Sequence, residues 1–267
     1  MPPGGRRHRA RGKMMAMRPV FVLLLLVRVC AGAEASGTLE NTGQPMRVPF
    51  ECKPDVLQSL GLSCAEDDPC AVYLELAAVD SNGVRVVVAG NLHTSTVTLS
   101  SILLASADGG KTWTEPYDRI PLAELEQIQF IGLDRGWISG SIVQPLPRDP
   151  FFLLTTDGGK GWKRQPLFED MQQGSIEKFW FDSPKSGALI MTVGEGKYEL
   201  LESMTGGESW ALRQTSPTAL KLEHSGAGNA GWRLRIDAKT HAYDVETRQA
   251  GAWQRVASFL VTVGTCK

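Results

Sequence analysis

The sequence predicts an all-β chain folded as a β-propeller of about four four-stranded blades. Three phrases share one pattern: Ser106-Ala107-Asp108-Gly109-Gly110-Lys111-Thr112-Trp113, Thr155-Thr156-Asp157-Gly158-Gly159-Lys160-Gly161-Trp162 and Ser203-Met204-Thr205-Gly206-Gly207-Glu208-Ser209-Trp210. Their tryptophans stand 49 and 48 residues apart, near the length of one four-stranded propeller blade. An apolar run precedes each phrase and another strand-like run follows it, as in two strands joined by a tight turn. No segment of useful length carries helical periodicity; Lys53 to Leu60 and Pro121 to Gln127 read as short turns of helix at most. Blades are expected near 71–117, 126–166, 176–214 and 219–257, after an N-terminal cysteine-containing segment over 36–70.

Taken in chain order, the first element is a signal. Arg6, Arg7, Arg9, Arg11 and Lys13 lie upstream of Arg18-Pro19, the apolar run Val20 to Val27, and the small residues Ala31, Gly32, Ala33 and Ala35. A charged n-region, an apolar h-region and a small-x-small cleavage site predict a signal peptide over 1–35, with Met14, Met15 or Met17 as alternative starts. The run is shorter than the roughly 18 residues that cross a bilayer, so the mature chain is expected to lack a span. Cys30 invites a lipid anchor, but Arg28 and Val29 are poor residues before such a cysteine. The expected location is periplasmic or secreted.

Cleavage leaves Cys52, Cys64, Cys70 and Cys266. Four cysteines in an exported chain favour two disulfides, with three pairings open. Cys64 and Cys70 are near enough to clip one loop, which would leave Cys52 and Cys266 to join the two ends of the domain. Zinc is disfavoured, because the spacing is not of finger type and no histidine lies beside these cysteines.

Each Asp-Gly-Gly phrase is preceded by a second hairpin. Val72 to Val79 turns through Asp80-Ser81-Asn82-Gly83 into Val84 to Ala89. Ile128 to Ile131 turns at Leu133 to Gly136 into Trp137 to Gly140, and Ile176 to Phe181 turns at Ser183 to Gly187 into Ala188 to Val193. A degraded fourth copy runs Leu220 to Glu223, Trp232 to Ile236, His241 to Glu246 and Trp253 to Val256, without the Asp-Gly-Gly phrase. Met46 to Phe50 and Phe259 to Val263 read as terminal strands that seal the ring or begin a partial fifth blade.

The phrase Ser/Thr-x-Asp-x-Gly-x-Thr-Trp resembles the Asp-box, or BNR repeat, of sialidases, sortilin-type receptors and photosystem II assembly-factor-like propellers. With its Gly-Trp second strand, the whole unit is most similar to the exported assembly-factor-like propellers, and the resemblance spans roughly 70% of the chain. Gly161 replaces the threonine in the second copy and Thr205 the aspartate in the third, so the third turn is expected to bond differently.

Physically, the phrase is scaffold. A tight turn leaves backbone N–H groups unpaired, an aspartate can accept from them, glycine supplies positive φ, and tryptophan packs between blades. Asp108, Gly110, Trp113, Asp157, Gly159, Trp162, Gly207 and Trp210 are therefore expected to be structural. If these turns join third to fourth strands, the second-to-third loops and the inter-blade links emerge on the opposite face. Loops on a rigid scaffold are where binding usually resides, and the candidates there are His93, Tyr117, Arg119, Arg148, Asp149, Glu195 and Lys197.

A formal net charge of −1 over 267 residues gives no electrostatic case for nucleic acid. No cofactor is expected. Glu66, Asp67 and Asp68 lack calcium-loop spacing, so no metal is expected either. A sialidase would need an arginine triad, a tyrosine–glutamate pair and an acid. Arg119-Ile120-Pro121 follows the first phrase, whereas the sialidase triplet precedes its first Asp-box. Tyr73, Tyr117, Tyr198 and Tyr243 are the only tyrosines. Six blades of about 47 residues would also need a longer chain. The expected function is a non-catalytic module that binds another protein in the cell envelope or extracellular space, with homodimerisation as one way to complete the ring. The alternative is a glycoside hydrolase or carbohydrate-binding propeller.

Overall fold

A computed structural model describes Met1 and residues 37–194, 196–222 and 231–267. The signal peptide, Cys30 and Glu195 lie outside the described residues. In chain order the elements are β1 (Leu39–Glu40), α1 (Pro54–Ser59), β2 (Cys70–Ser81), β3 (Val86–His93), β4 (Thr98–Ser106), β5 (Thr112–Trp113), β6 (Ala123–Ile131), β7 (Arg135–Ile142), β8 (Arg148–Thr155) and β9 (Lys163–Pro166). There follow β10 (Gly174–Phe181), β11 (Gly187–Val193), β12 (Lys197–Ser203), β13 (Ala211–Ser216), β14 (Trp232–Asp237), β15 (Ala242–Gln249), β16 (Ala252–Leu260) and β17 (Thr262–Cys266). Antiparallel sheets run β17-β2-β3-β4, β6-β7-β8-β9, β10-β11-β12-β13 and β14-β15-β16, with β1 on β5. This is a β-propeller, with sheets one to four numbered in that chain order and sheet one starting at β2.

Two expectations need correction, and a third is decided between its alternatives. Pro121 to Gln127 is not helical: β6 begins at Ala123 and pairs with β7 along its length, because both of its faces pack against other sheets. Among the described residues the fourth sheet has three strands; Leu220 to Leu222 carry no strand, and Glu223, the end of the expected inner strand, lies outside the described residues. Of the two roles open to the terminal segments, the structure shows pairing, and among the described residues no fifth sheet begins there. Instead β17 pairs with the inner edge of β2, and Met46 bridges Phe259 in parallel.

Packing follows the period-2 alternation of the strands. In β8, Phe151 and Leu153 face sheet one while Phe152 faces sheet three. One core joins sheets four and one (Val72, Leu74, Trp113, Val245, Phe259), a second joins one and two (Val87, Leu103, Ile138, Leu153), and a third joins two and three (Trp137, Phe179, Leu189, Leu201). No fourth core joins sheets three and four among the described residues. The sheets thus follow one another as an arc, four–one–two–three, and the ring does not close by that contact. At one end of the arc the far face of sheet four is polar: Arg233 and Arg235 pair with Glu246, and Arg235 with Asp244.

An N-terminal strap holds sheets one and four together. Leu39–Glu40 pairs with β5, the Asn41 side chain donates to the Gly110 and Val256 carbonyls, and Met46 exchanges backbone bonds with Ser258 and Leu260. Cys52–Cys266 then ties the strap to β17, while Cys64–Cys70 closes a short loop.

The Asp-Gly-Gly turns lock themselves as the sequence implies. Asp108 accepts from the Lys111 and Thr112 N–H groups and from the Thr112 and Ser106 hydroxyls. These donors, the Thr112 hydroxyl foremost, hold its carboxyl well below the usual carboxylate range. Asp157 accepts from the Gly161 and Lys160 N–H groups and the Thr155 hydroxyl, with the same direction of shift. Thr205 keeps one such bond, from the Ser209 N–H. The Trp113 and Trp210 indoles donate to the Gly110 and Gly207 carbonyls.

The turns also dock each sheet on the one before it. Asn82 of sheet one donates to the Gly158 carbonyl, and Trp137 of sheet two to the Gly206 carbonyl. Sheet four has no such turn, and among the described residues no sheet packs on the face where one would dock. Asp157→Ala is expected to lower the melting temperature by roughly 2–4 °C, about the loss of one hydrogen bond in a domain of this size. Thr205→Ala should cost less. Differential scanning calorimetry of the two variants checks the order.

Candidate functional site

The inner strands β2, β6 and β10 each carry a β-bulge at the same place in the repeat. The register slips between Leu76 and Ala78, between Leu125 and Gln127, and between Ile176 and Lys178. A bulge leaves one residue unpaired and re-aims its side chain. Here those residues are Ala77, Glu126 and Glu177.

The three bulges line a recess of about 450 Å³ formed by Glu75, Leu76, Ala77, Asn91, Glu124, Leu125, Glu126, Gln127, Ser175, Ile176 and Glu177. It lies toward the starting ends of β6 and β10, away from the Asp-Gly-Gly turns, which sit with the hairpin turns at the far ends of these strands: the Gly158 N–H bonds to the Asp134 carbonyl and the Gly206 N–H to the Lys185 carbonyl.

Side-chain amides make the recess rigid. Asn91 donates to the Leu125 carbonyl and accepts from its N–H. Gln127 bonds in the same two ways to the Glu177 carbonyl and the Phe179 N–H, and Gln129 to Phe181. Each amide thus imitates a strand across the gap between sheets. The Thr98 hydroxyl donates to Glu124 at 2.5 Å.

Glycine is needed behind the wall. A Cβ on Gly140 would stand 2.6 Å from the Glu124 carbonyl and 2.7 Å from the Phe151 ring, closer than packed atoms allow. Gly140→Ala is expected to cost about 2 kcal/mol, since an overpacked core must shift backbone. Thermal unfolding measures it; an unchanged melting temperature would show that the wall yields.

The lining holds four carboxylates and no lysine, arginine or histidine. Burial, and then the charges of Glu124 and Glu177, push the Glu126 carboxyl up to about 7. Glu75 in turn raises the Tyr243 phenol, whose burial is the larger cause. Among the described residues no group of three or more His, Cys, Asp or Glu side chains is arranged to hold a metal ion.

The described residues among the binding candidates singled out from sequence lie elsewhere, and none of them lines the recess. Arg119 forms a bidentate pair with Glu115 and donates to the Pro49 carbonyl, securing the strap. Tyr117 packs on the core between sheets one and two. Arg148 pairs with Asp149, which also accepts from the Gln172 N–H. His93 lies beside Tyr73 and contacts the Thr94 carbonyl through Nδ1. Lys197 is exposed on β12. The structure does not gather these side chains into one constellation.

The carboxylates escape a reading of the sequence, although a signal exists. Aligning the repeats on Leu76, Leu125 and Ile176 puts Glu75 over Glu124 and Glu126 over Glu177. The strand alternation alone reads these residues as solvated faces.

No protein-family model matches the chain, and no curated protein does. Solved structures of similar form exist. A PL25 polysaccharide lyase, an ulvan lyase, is 13% identical, with a TM-score of 0.40 over 77% of this chain and 56% of that one. A 6-phosphogluconolactonase candidate from Bacteroides uniformis is 8% identical, with a TM-score of 0.37 over 82% and 62%. YCF48 from Cyanidioschyzon merolae is 15% identical, with a TM-score of 0.30 over 71% and 72%. The chain thus spans little more than half of the lyase's length.

Proposed function

We propose that this chain is an exported, non-catalytic binding module of the Asp-box type, which engages another protein of the envelope or extracellular space through the face opposite the Asp-Gly-Gly turns. The observation that carries this reading is the acidic recess on that face, held rigid by amide bridges between the sheets. The two disulfides support export, because such bonds persist in oxidising compartments. Among the described residues no helix is long and apolar enough to cross a membrane.

A glycoside hydrolase is the second reading, favoured by one feature. Glu126, with its carboxyl raised to about 7 beside Glu124 and Glu177, resembles the acid of a carboxylate pair.

Two assays separate the readings. The purified protein is incubated with sialyllactose and with uronate-containing polysaccharide, and products are followed by chromatography. In parallel, partners cross-linked from an envelope fraction are compared for wild type, Lys197→Glu on the loop face and Lys160→Glu on the turn face. No turnover, with capture lost only in Lys197→Glu, supports the module. Turnover abolished by Glu126→Gln establishes the enzyme instead.

A further inference from the structure

We propose that the two disulfides form one thiol-exchange site, at which a small thiol entering at the Cys64–Cys70 clip is relayed to the Cys52–Cys266 latch. The register of β17 on β2 carries the argument, because Cys266 stands directly opposite Cys70. Residues directly opposite in an antiparallel pair share one sheet face, with Cα atoms about 4.5–5.5 Å apart. A disulfide spans roughly 4.4–6.8 Å between Cα atoms. Cys70 can thus reach Cys266 as readily as it reaches Cys64, whose Cα lies 5.3 Å away in the present bridge. All four cysteines belong to one core, Cys266 within it and Cys52, Cys64 and Cys70 packed against it. An independent contact joins the two bridges: Lys267, the neighbour of Cys266, pairs at 3.7 Å with Glu66 inside the clip loop.

The clip and the latch differ in access and in hold. Cys64 and Cys70 are both half-buried, and Ala65, Glu66, Asp67 and Asp68 between them are exposed. In the latch, Cys266 is fully buried. The clip closes a sequence separation of 6 and the latch one of 214, so far less loop entropy holds the clip shut. A thiol from solvent therefore enters at the clip. Its three exposed carboxylates favour a cationic or uncharged thiol over an anionic one.

Two exchanges follow, in each of which one thiolate displaces another from a disulfide sulfur. The entering thiol gives its proton to solvent and attacks the Cys64 sulfur, forming a mixed disulfide and expelling Cys70 as a thiolate. Cys70 then attacks the Cys266 sulfur across the β17–β2 pair. The Cys70–Cys266 bond forms, the Cys52–Cys266 bond breaks, and Cys52 leaves as a thiolate that takes a proton from water. Two disulfides and one thiol enter, and two disulfides and one thiol leave, so the entering thiol is the sole co-reactant. The covalent tie moves from between the strap and β17 to between β17 and β2. Both of those strands belong to sheet one, so the strap that crosses sheet four loses its latch.

The test uses the full chain carrying Cys30→Ser, so that only these four cysteines take part. It is treated at pH 8 with substoichiometric cysteamine, a cationic thiol, quenched with N-ethylmaleimide and mapped by non-reducing peptide mass spectrometry. A Cys70–Cys266 cross-linked peptide, with the label on Cys52, is the expected result. Adding Cys64→Ser should give the same pair in a fraction of the chains with no thiol present, because Cys70 is then free from the start. In Cys64→Ala/Cys70→Ala, cysteamine should open the latch at least about tenfold more slowly, for want of the entry point. A Cys64→Ser chain that keeps Cys52–Cys266 and carries the label on Cys70 alone overturns the proposal. So does a latch that opens at an undiminished rate without the clip. Should Cys64→Ser fail to fold, the map of the cysteamine-treated chain decides, and absence of the Cys70–Cys266 peptide there overturns the relay.

Discussion

A Cys52→Ala/Cys266→Ala chain is expected to lose about 5 kcal/mol of stability, the loop entropy returned to the unfolded chain when so distant a crosslink is removed. The bond spans a sequence separation of 214, against 6 for Cys64–Cys70, so removing the shorter clip should cost only about 2 kcal/mol by the same relation. Denaturant unfolding of the two double variants measures both. The structure adds a reason for the difference. Cys266 is buried on β17 at the inner edge of sheet one, and Cys52 ends the strap that crosses sheet four. Sheet four packs on sheet one, and no core ties it to sheet three among the described residues. Its position therefore depends on the strap, on β17 and on this latch. Equal losses from the two variants would mean that the latch adds nothing beyond local closure.

Glu126→Gln should stabilise the protein at pH 8 and leave it nearly unchanged at pH 5. The carboxyl is raised from 4.5 to about 7 in the folded chain, so the native state holds its proton more tightly than the unfolded state does. Wild-type stability is then complete below about pH 4.5, falls as pH rises toward 7, and levels off above it. Glutamine mimics the protonated form and removes that fall. The gain at pH 8 is about 3 kcal/mol at most, because each tenfold rise in proton affinity is worth about 1.4 kcal/mol and the side chain remains partly open to water. Urea unfolding of both proteins from pH 5 to pH 8 reads the effect. A difference that does not change with pH would show that Glu126 ionises freely in the fold.

Much of the architecture is legible in the sequence because the repeat is local. The 49-residue interval, the hairpins from Val72 to Val193 and the self-bonded turns at Asp108 and Asp157 all depend on residues close in sequence. Pro121 to Gln127 reads as helix because its charges interrupt an apolar pattern, and pairing with β7 overrides that local signal. Leu220 to Glu223 resembles a fourth inner strand, but its described part, Leu220 to Leu222, carries none. The candidate site is the least legible part. Arg119 and Arg148 look functional because they are charged and lie in loops, yet Glu115 and Asp149 bind them. Glu75, Glu124, Glu126 and Glu177 look like ordinary polar positions of alternating strands.

The sheet count and the turn chemistry are written in a repeat unit or in a few adjacent residues, so the chain's local pattern suffices for both. Only the tertiary structure decided that the sheets form an arc, that β17 joins sheet one, and that four carboxylates share one recess. Those outcomes depend on contacts between residues far apart in the chain, from the Gln129–Phe181 bridge at a separation of 52 to the Asn41–Val256 bond at 215. There bulges re-aim side chains and burial changes their acidity. Such contacts are set by packing, which no local pattern records.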